Sequence, residues 1–319
     1  MVSSHTKRFA AAYPKAASGC KGGVTAWPAG QDTPHEAAFK AQYQRLGMTA
    51  AVVSGFQQLV YSYADQQGRD LPWRRINDPW QVLVSEVMLQ QTQVERVIPK
   101  YNAFLERFPG PVALAAAPIP ELLEAWQGLG YNRRALNLQR AAQMVVTQWH
   151  GRLPDDPVLL QQLPGIGPYT AGAIAAFAFN RPTVFLETNI RAVLLHLVFH
   201  GQQAVTDKQL LPVAEAVLDR TAPGRWYNAL MDYGSDLKRR FPNPSRRSRH
   251  HSVQSRFEGS DRQLRGALLR LLLNTNGLTV DAIRRALEIE PDRLQRIIEG
   301  MVREGFLQRN GRRYLIPSA

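Results

Sequence analysis

Glu86 lies within VSEVMLQQTQV, Val84 to Val94, and has Val84, Val87 and Met88 around it. A carboxylate on so apolar a helix face loses solvation, which raises its pKa and favours the protonated acid. Such a group can give a proton to a leaving group, although a lone helical glutamate is more commonly a cap or a surface residue. A second stretch with chemical potential is LPGIGPYTAGAI, Leu163 to Ile174. Pro164, Gly165 and Gly167 stop one helix and allow a tight turn with positive φ, and Pro168 suits the first position of the next helix. Backbone N–H groups at such a hairpin attract a phosphate oxygen; an ordinary corner between helices has the same spelling. GLGYNRRA, Gly128 to Ala135, adds paired glycines with Tyr131, Arg133 and Arg134. That cluster could meet a DNA backbone or form a solvated basic turn.

Helices must position these residues. Val52, Phe56, Leu59, Val60 and Tyr63 have helical spacing before Gly68, and Pro79-Trp80 opens a longer helix expected to run through Val97. Shorter helices follow at Glu121 to Trp126, Leu136 to Trp149 and Asp156 into Leu163. Thr170 to Phe179 is small and apolar, suited to close packing. No alternating strand pattern interrupts the series, so the expected fold class is all-α. Met1 to Leu46 lacks apolar periodicity and is rich in Ala, Gly, Pro, Lys and His. Residues 1–48 are therefore expected to form a disordered extension. After Gly259 come helices at Asp261 to Asn274, Thr279 to Leu287 and Pro291 to Gly305, then a hairpin expected to turn at Asn310-Gly311. Three helices and a wing resemble a winged-helix domain over 260–319. Its third helix carries Arg293, Arg296 and Arg303, which suits DNA or a protein partner.

At 319 residues, 45% of them hydrophobic, the chain can bury two or three lobes. Lys and Arg number 39 against 26 Asp and Glu, a net charge of +13. That excess suits a polyanion through phosphate contacts and counterion release, though charge alone also describes a generic basic protein. A small-molecule enzyme is disfavoured by the charge and by the lack of a cofactor motif. No run of 18 apolar residues suggests a membrane span, and the N-terminus lacks the apolar core of a secretory signal. The single cysteine, Cys20, excludes an internal disulfide framework and fits a reducing cytosol. The expected location is cytoplasmic, on the nucleoid.

LPWR (Leu71 to Arg74), SEVMLQQTQV, GLGYNRRALNL, LPGIGPYTAGAI and MDYG, taken together and in this order, resemble the helix-hairpin-helix DNA glycosylase superfamily. The resemblance covers Phe56 to Asp236 and is nearest to the MutY-type adenine glycosylases. It implies a six-helix barrel over 74–182 that holds the hairpin, and a second helical lobe from 49–73 and 183–258. The activity it implies is hydrolysis of the N-glycosidic bond of adenine mispaired with 8-oxoguanine or guanine. The implied partner is double-stranded DNA with a mispaired or damaged base, bound by a monomer.

Site residues carry over position by position. The family glutamate that protonates the leaving adenine is Glu86 here, consistent with the acid that purine loss requires. A second carboxylate must stay ionised beneath the oxocarbenium-like sugar; the family's aspartate in a DGN motif is replaced by Glu187 in LETN, and Asn189 takes the asparagine position. The helical stretch after it is expected to depress the pKa of Glu187, pushing the two carboxyls in opposite directions. Glutamate adds one methylene, which changes the reach of the charge. Tyr169 stands where bifunctional relatives carry a Schiff-base lysine, so no strand-nicking lyase activity is expected. Gln90, Gln91 and Thr92, on the expected continuous helix, match residues that fill the gap left by an extruded base, although polar helix surface would read the same. Gly165 and Gly167 are expected to hold phosphate.

The family's four cluster cysteines, spaced C-x6-C-x2-C-x5-C, fall on Lys238, Ser245, Ser248 and Gln254. Without thiolates a [4Fe–4S] cluster is not expected, and neither is another cofactor or metal. Lys238 to Arg256 holds seven Lys or Arg and no acid, which places Arg246 and Arg247 as candidate phosphate contacts. The adjacent His250 and His251 are too few for a metal site. MutY-type chains usually end in a Nudix-like domain that reads 8-oxoguanine, for which this tail is too short. Two alternatives stay open: a thymine, uracil or hypoxanthine mismatch glycosylase on the same scaffold, and a non-catalytic reader of mispaired or abasic DNA.

Overall fold

The computed structural model describes residues 29–251, 253 and 256–318. Fifteen α-helices carry the chain among these residues. The first, α1 (Pro34–Leu46), occupies 13 residues of the stretch expected to be disordered. It opens on a capping box in which Thr33 and Glu36 satisfy each other's backbone amides. Its docking is ionic as well as apolar: Glu36 accepts from Arg240 at 2.6 Å and from the Tyr233 hydroxyl at 2.5 Å. Lys40 pairs with Asp32 at 2.7 Å and reaches His196 at 3.3 Å. Burial pushes the His196 ring down to about 4, so it stays neutral beside that lysine. The rest of the expected extension, residues 1–28, lies outside the described residues.

Next come α2 (Ala50–Gln67), α3 (Pro79–Leu89), α4 (Val94–Arg107), α5 (Pro111–Ala115), α6 (Ile119–Ala125) and α7 (Arg133–Trp149). The expected single helix from Pro79 through Val97 is two helices, broken at Gln90 to Gln93. The cause is remote in sequence. The buried Arg134 guanidinium donates to Val87 O at 2.7 Å and Met88 O at 2.8 Å, satisfying the last carbonyls of α3. It also donates to Thr92 Oγ1 at 2.9 Å and Gly130 O at 3.0 Å, which binds the 128–131 loop to the break.

The hairpin unit is α8 (Pro157–Leu160) and α9 (Pro168–Phe179). Being apolar on all sides, α9 lies between two cores. Ala171, Ile174 and Ala175 join Trp80, Leu83, Met88, Phe104 and Trp126. Ala173 and Ala176 join Phe56, Leu194, Trp226 and Tyr233. Then follow α10 (Thr188–Leu197), α11 (Asp207–Ala216) and α12 (Pro223–Arg240). LPWR and MDYG meet here, because Asp232 accepts from Arg74 at 2.6 Å and from Arg69 at 2.6 Å.

The C-terminal module contains α13 (Asp261–Leu273), α14 (Val280–Leu287) and α15 (Pro291–Arg303), with β1 (Leu278–Thr279), β2 (Gln308–Asn310) and β3 (Arg313–Leu315). The strands form an antiparallel sheet in the order β1-β3-β2. Asn310 pairs with Arg313, so the two-residue turn is Gly311-Arg312, one residue beyond the expected place. Leu268, Ile298, Met301 and Phe306 are continuous with the α3–α9 core. Among the described residues no helix is long and apolar enough to cross a membrane.

Candidate active site

Glu86 projects from α3 among apolar neighbours and is only 7% exposed. Burial raises its pKa to about 7, the charge of Glu187 adds to the rise, and the Tyr169 hydroxyl opposes it. That hydroxyl lies 3.4 Å from Glu86 Oε2. Tyr169 occupies the second position of α9, and its ring meets Phe185 edge-on at 5.5 Å. Phe185 stacks on Tyr227 at 3.9 Å, and the Tyr227 hydroxyl donates to Thr183 O at 2.7 Å. A Cβ on Gly172 would sit 3.1 Å from the Phe185 ring, so the small residue keeps this aromatic wall in place. Sequence patterning missed Phe185 and Tyr227, which read as ordinary core residues.

Glu187 is the N-cap of α10. Its Oε1 accepts from Asn189 N at 2.6 Å and Ile190 N at 3.1 Å. The expectation that its pKa is depressed is overturned. Burial raises it, and this outweighs the lowering by Lys238, the two backbone amides and the Asn189 side chain. Helix-terminus stabilisation is real here but smaller than the loss of solvation. Asn189 presents a buried Oδ1 with no hydrogen-bond partner among the described residues. Close behind, α12 abuts the first turn of α10 at Gly234, where a Cβ would lie 2.2 Å from Asn189 O. Lys238 follows one helical turn later on the same face. Burial pushes its amine down, while the Glu187 charge holds it up.

The hairpin places one glycine in the left-handed region, not two. Gly165 has φ +81°, with Asn137 Nδ2 2.9 Å from where a Cβ would be. Gly167 is extended (φ −85°, ψ 177°) and caps α9 without a side chain. It leaves the amides of Tyr169 and Thr170 without partners inside the helix. Gln90, Gln91 and Thr92 lie in the break after α3, not along a helix face. Gln90 Nε2 approaches Thr170 Oγ1 at 3.3 Å, Gln91 has φ +56°, and Thr92 Oγ1 donates to Gln90 O at 3.3 Å. Tyr131, at φ +48°, receives a hydrogen bond from Arg262, and the exposed Arg133 lies 3.8 Å from Glu304. Arg134, the second arginine of that motif, is structural.

In the 241–251 loop, Arg246 is exposed but Arg247 turns inward. It donates to Leu195 O at 2.5 Å and Phe199 O at 2.9 Å, around the C-terminal end of α10. Ser245 Oγ is engaged with Asn243 Oδ1 at 2.7 Å, and Ser248 Oγ accepts from His250 N at 3.2 Å. Gln254 lies outside the described residues.

Two buried, electrostatically coupled carboxyls, a tyrosine beside them and a glycine hairpin ahead of α9 are the arrangement of a base-excising DNA repair enzyme of the helix-hairpin-helix class. Residues 84–215 match the HhH-GPD superfamily base excision DNA repair protein profile. The chain is 36% identical over 269 residues to the adenine DNA glycosylase of Mycolicibacterium smegmatis, covering 77% of this chain and 90% of that one. It is 36% identical over 248 residues to human adenine DNA glycosylase, covering 73% of this chain but 45% of the human one. A thermostable thymine-DNA glycosylase has the same fold, with TM-score 0.52 and 24% identity over 57% of this chain and 86% of that one. The chain belongs to the adenine DNA glycosylase family of the HhH-GPD superfamily.

Proposed function

We propose that the protein is a monofunctional adenine DNA glycosylase of base excision repair, acting on adenine opposite 8-oxoguanine or guanine in double-stranded DNA. The observation that carries this reading is the electrostatically coupled pair Glu86 and Glu187. Glu86, poised at about 7, holds a proton at neutral pH and delivers it to a ring nitrogen of adenine as the glycosidic bond lengthens. Glu187 has the hydrogen-bond donors and the lysine, which favour its charged form against the burial that raises it. Its charge then stabilises the oxocarbenium-like sugar, and water completes the hydrolysis. Tyr169 orients the acid, and the unpartnered Asn189 Oδ1 offers an acceptor to a donor on the substrate. Gly165 and the amides opening α9 take a phosphate, Gln90 to Thr92 fill the vacated stack, and exposed Arg246 is available to the backbone.

The lyase step of bifunctional relatives has no lysine at Tyr169 to begin it. The family's iron–sulfur cluster does not fit this chain: an amine, two engaged hydroxyls and an amide replace its thiolates. The reading is therefore cluster-free, and the protein would work where the chromosome is. Single-turnover excision tests it, on duplexes with A opposite 8-oxoguanine, A opposite G, T opposite G, U opposite G and hypoxanthine. Adenine release by the wild type and its loss in Glu86→Gln is the expected result. Release of only a pyrimidine or hypoxanthine, or rates unchanged by Glu86→Gln, would overturn it.

A further inference from the structure

Three successive residues of α12 tie that helix to three parts of the protein. Asp232 holds Arg69 and Arg74, beside and within the LPWR segment, and Gly234 seats on Asn189 O at the first turn of α10. Between them, the Tyr233 hydroxyl donates to the fully buried Glu36 of α1 at 2.5 Å. Glu187 caps the amides of that same first turn. Glu36 is thus linked to the Glu187 carboxyl through Tyr233, its chain neighbour Gly234 and Asn189.

The α1 segment also reaches the far ends of both helices. Glu36 accepts from Arg240, the last residue of α12, at 2.6 Å. Gly30 N donates to Arg240 O at 2.8 Å, satisfying a carbonyl that the helix end leaves open. Asp32 lies 3.0 Å from His196 Nε2 in the last turn of α10, and the His196 ring meets Phe241, just past α12, at 4.4 Å. A buried ion pair repays its desolvation only when its remaining hydrogen-bonding capacity is filled. Glu36 meets that condition: Oε1 accepts from Arg240 and Tyr233, and Oε2 accepts from Thr33 N at 2.6 Å. Such a pairing specifies one docking geometry for α1.

Four thiolates on one cluster would staple residues 238, 245, 248 and 254 together just beyond this point. Here Arg247, between Ser245 and Ser248, is turned instead onto the carbonyls of Leu195 and Phe199 at the end of α10. We propose that α1 and Arg247 form a polar clasp doing the holding that iron and thiolates do in cluster-bearing relatives, and that Glu36 and Tyr233 are positioning residues for Glu187. The inference rests on the base-excision reading above.

Glu36→Gln in the full chain tests the clasp, at a temperature where it and the wild type are both folded by circular dichroism. One readout is single-turnover adenine release from a duplex with A opposite 8-oxoguanine, at saturating protein. The other is hydrogen exchange of the α10 amides. Release should slow by about 10²-fold, the cost of moving a reacting group by about 1 Å. Duplex affinity should be unchanged, because the hairpin and Arg246 are untouched. The amides of Asn189 and Ile190 should exchange faster. Faster exchange confined to α1, with release at the wild-type rate, is what a purely stabilising helix would give; it would overturn the inference and leave the excision reading intact. No adenine release by the wild type would overturn the excision reading and the role given to Glu187, and the exchange at Asn189 and Ile190 would then decide the clasp alone. If Glu36→Gln does not fold, Tyr233→Phe removes one hydroxyl and keeps the ring. It should show the same changes at smaller size, and wild-type behaviour in it would overturn the inference. Treating the wild type with a chelator and ferricyanide should leave release unchanged, and loss of release would overturn the replacement of a cluster by protein contacts.

Discussion

Glu86 is buried on α3 with one hydroxyl at 3.4 Å, whereas Glu187 is met by two backbone amides and feels the charge of the Lys238 amine. Both side chains are glutamate, and burial raises both. What separates them is the company kept by the charged form: α3 offers Glu86 almost nothing, while α10 and α12 supply Glu187 with donors and a cation. An acid and a charge stabiliser can therefore be made from one residue type by changing the surroundings alone.

The largest effect that would break this comparison belongs to the acid. Glu86→Gln should slow single-turnover adenine release by about 10²–10⁴-fold without lowering Tm, because the variant keeps the shape and loses the proton. In the wild type, excision should decline as pH rises through about 7, where Glu86 passes from its active protonated form to carboxylate. Glu187→Gln should slow release by about 10²–10³-fold. It should also move the alkaline limb to lower pH, since the Glu187 charge is one of the two causes holding Glu86 up.

A smaller change sharpens the contrast. Lys238→Met removes the cation that favours the ionised form of Glu187, so that carboxyl should keep its proton to higher pH. The acidic limb of the rate profile should move upward, and an unmoved limb would show that Lys238 does not act on Glu187. Gly165→Ala is expected to be milder for catalysis. It should cost about 1–3 kcal/mol of stability, measurable by denaturant unfolding, and weaken duplex binding, because a Cβ there combines φ +81° with crowding against Asn137.

Local features were the ones legible in the sequence. The hairpin follows from its Pro and Gly positions, and the apolar setting of Glu86 from its immediate neighbours. The break after Leu89 was not legible, because the group that completes α3 is Arg134, far along the chain. Nor was the net rise at Glu187, since a helix start is visible in sequence and depth of burial is not. α1 did leave a signal in Thr33 and Glu36, the two ends of a capping box. Its docking depends on Tyr233 and Arg240, which only the fold brings near.

Arg247 gives α10 the character of a beam supported at both ends. Gly234 seats α12 against its first turn, and Arg247 pins the carbonyls at the other. The ten residues between span about 15 Å at the rise of an α-helix. Stiffness at Glu187 is thus partly borrowed from a loop at the opposite end. A single proteolytic nick in 241–251 would blur the aim of the carboxylate while leaving every group that touches DNA chemically intact.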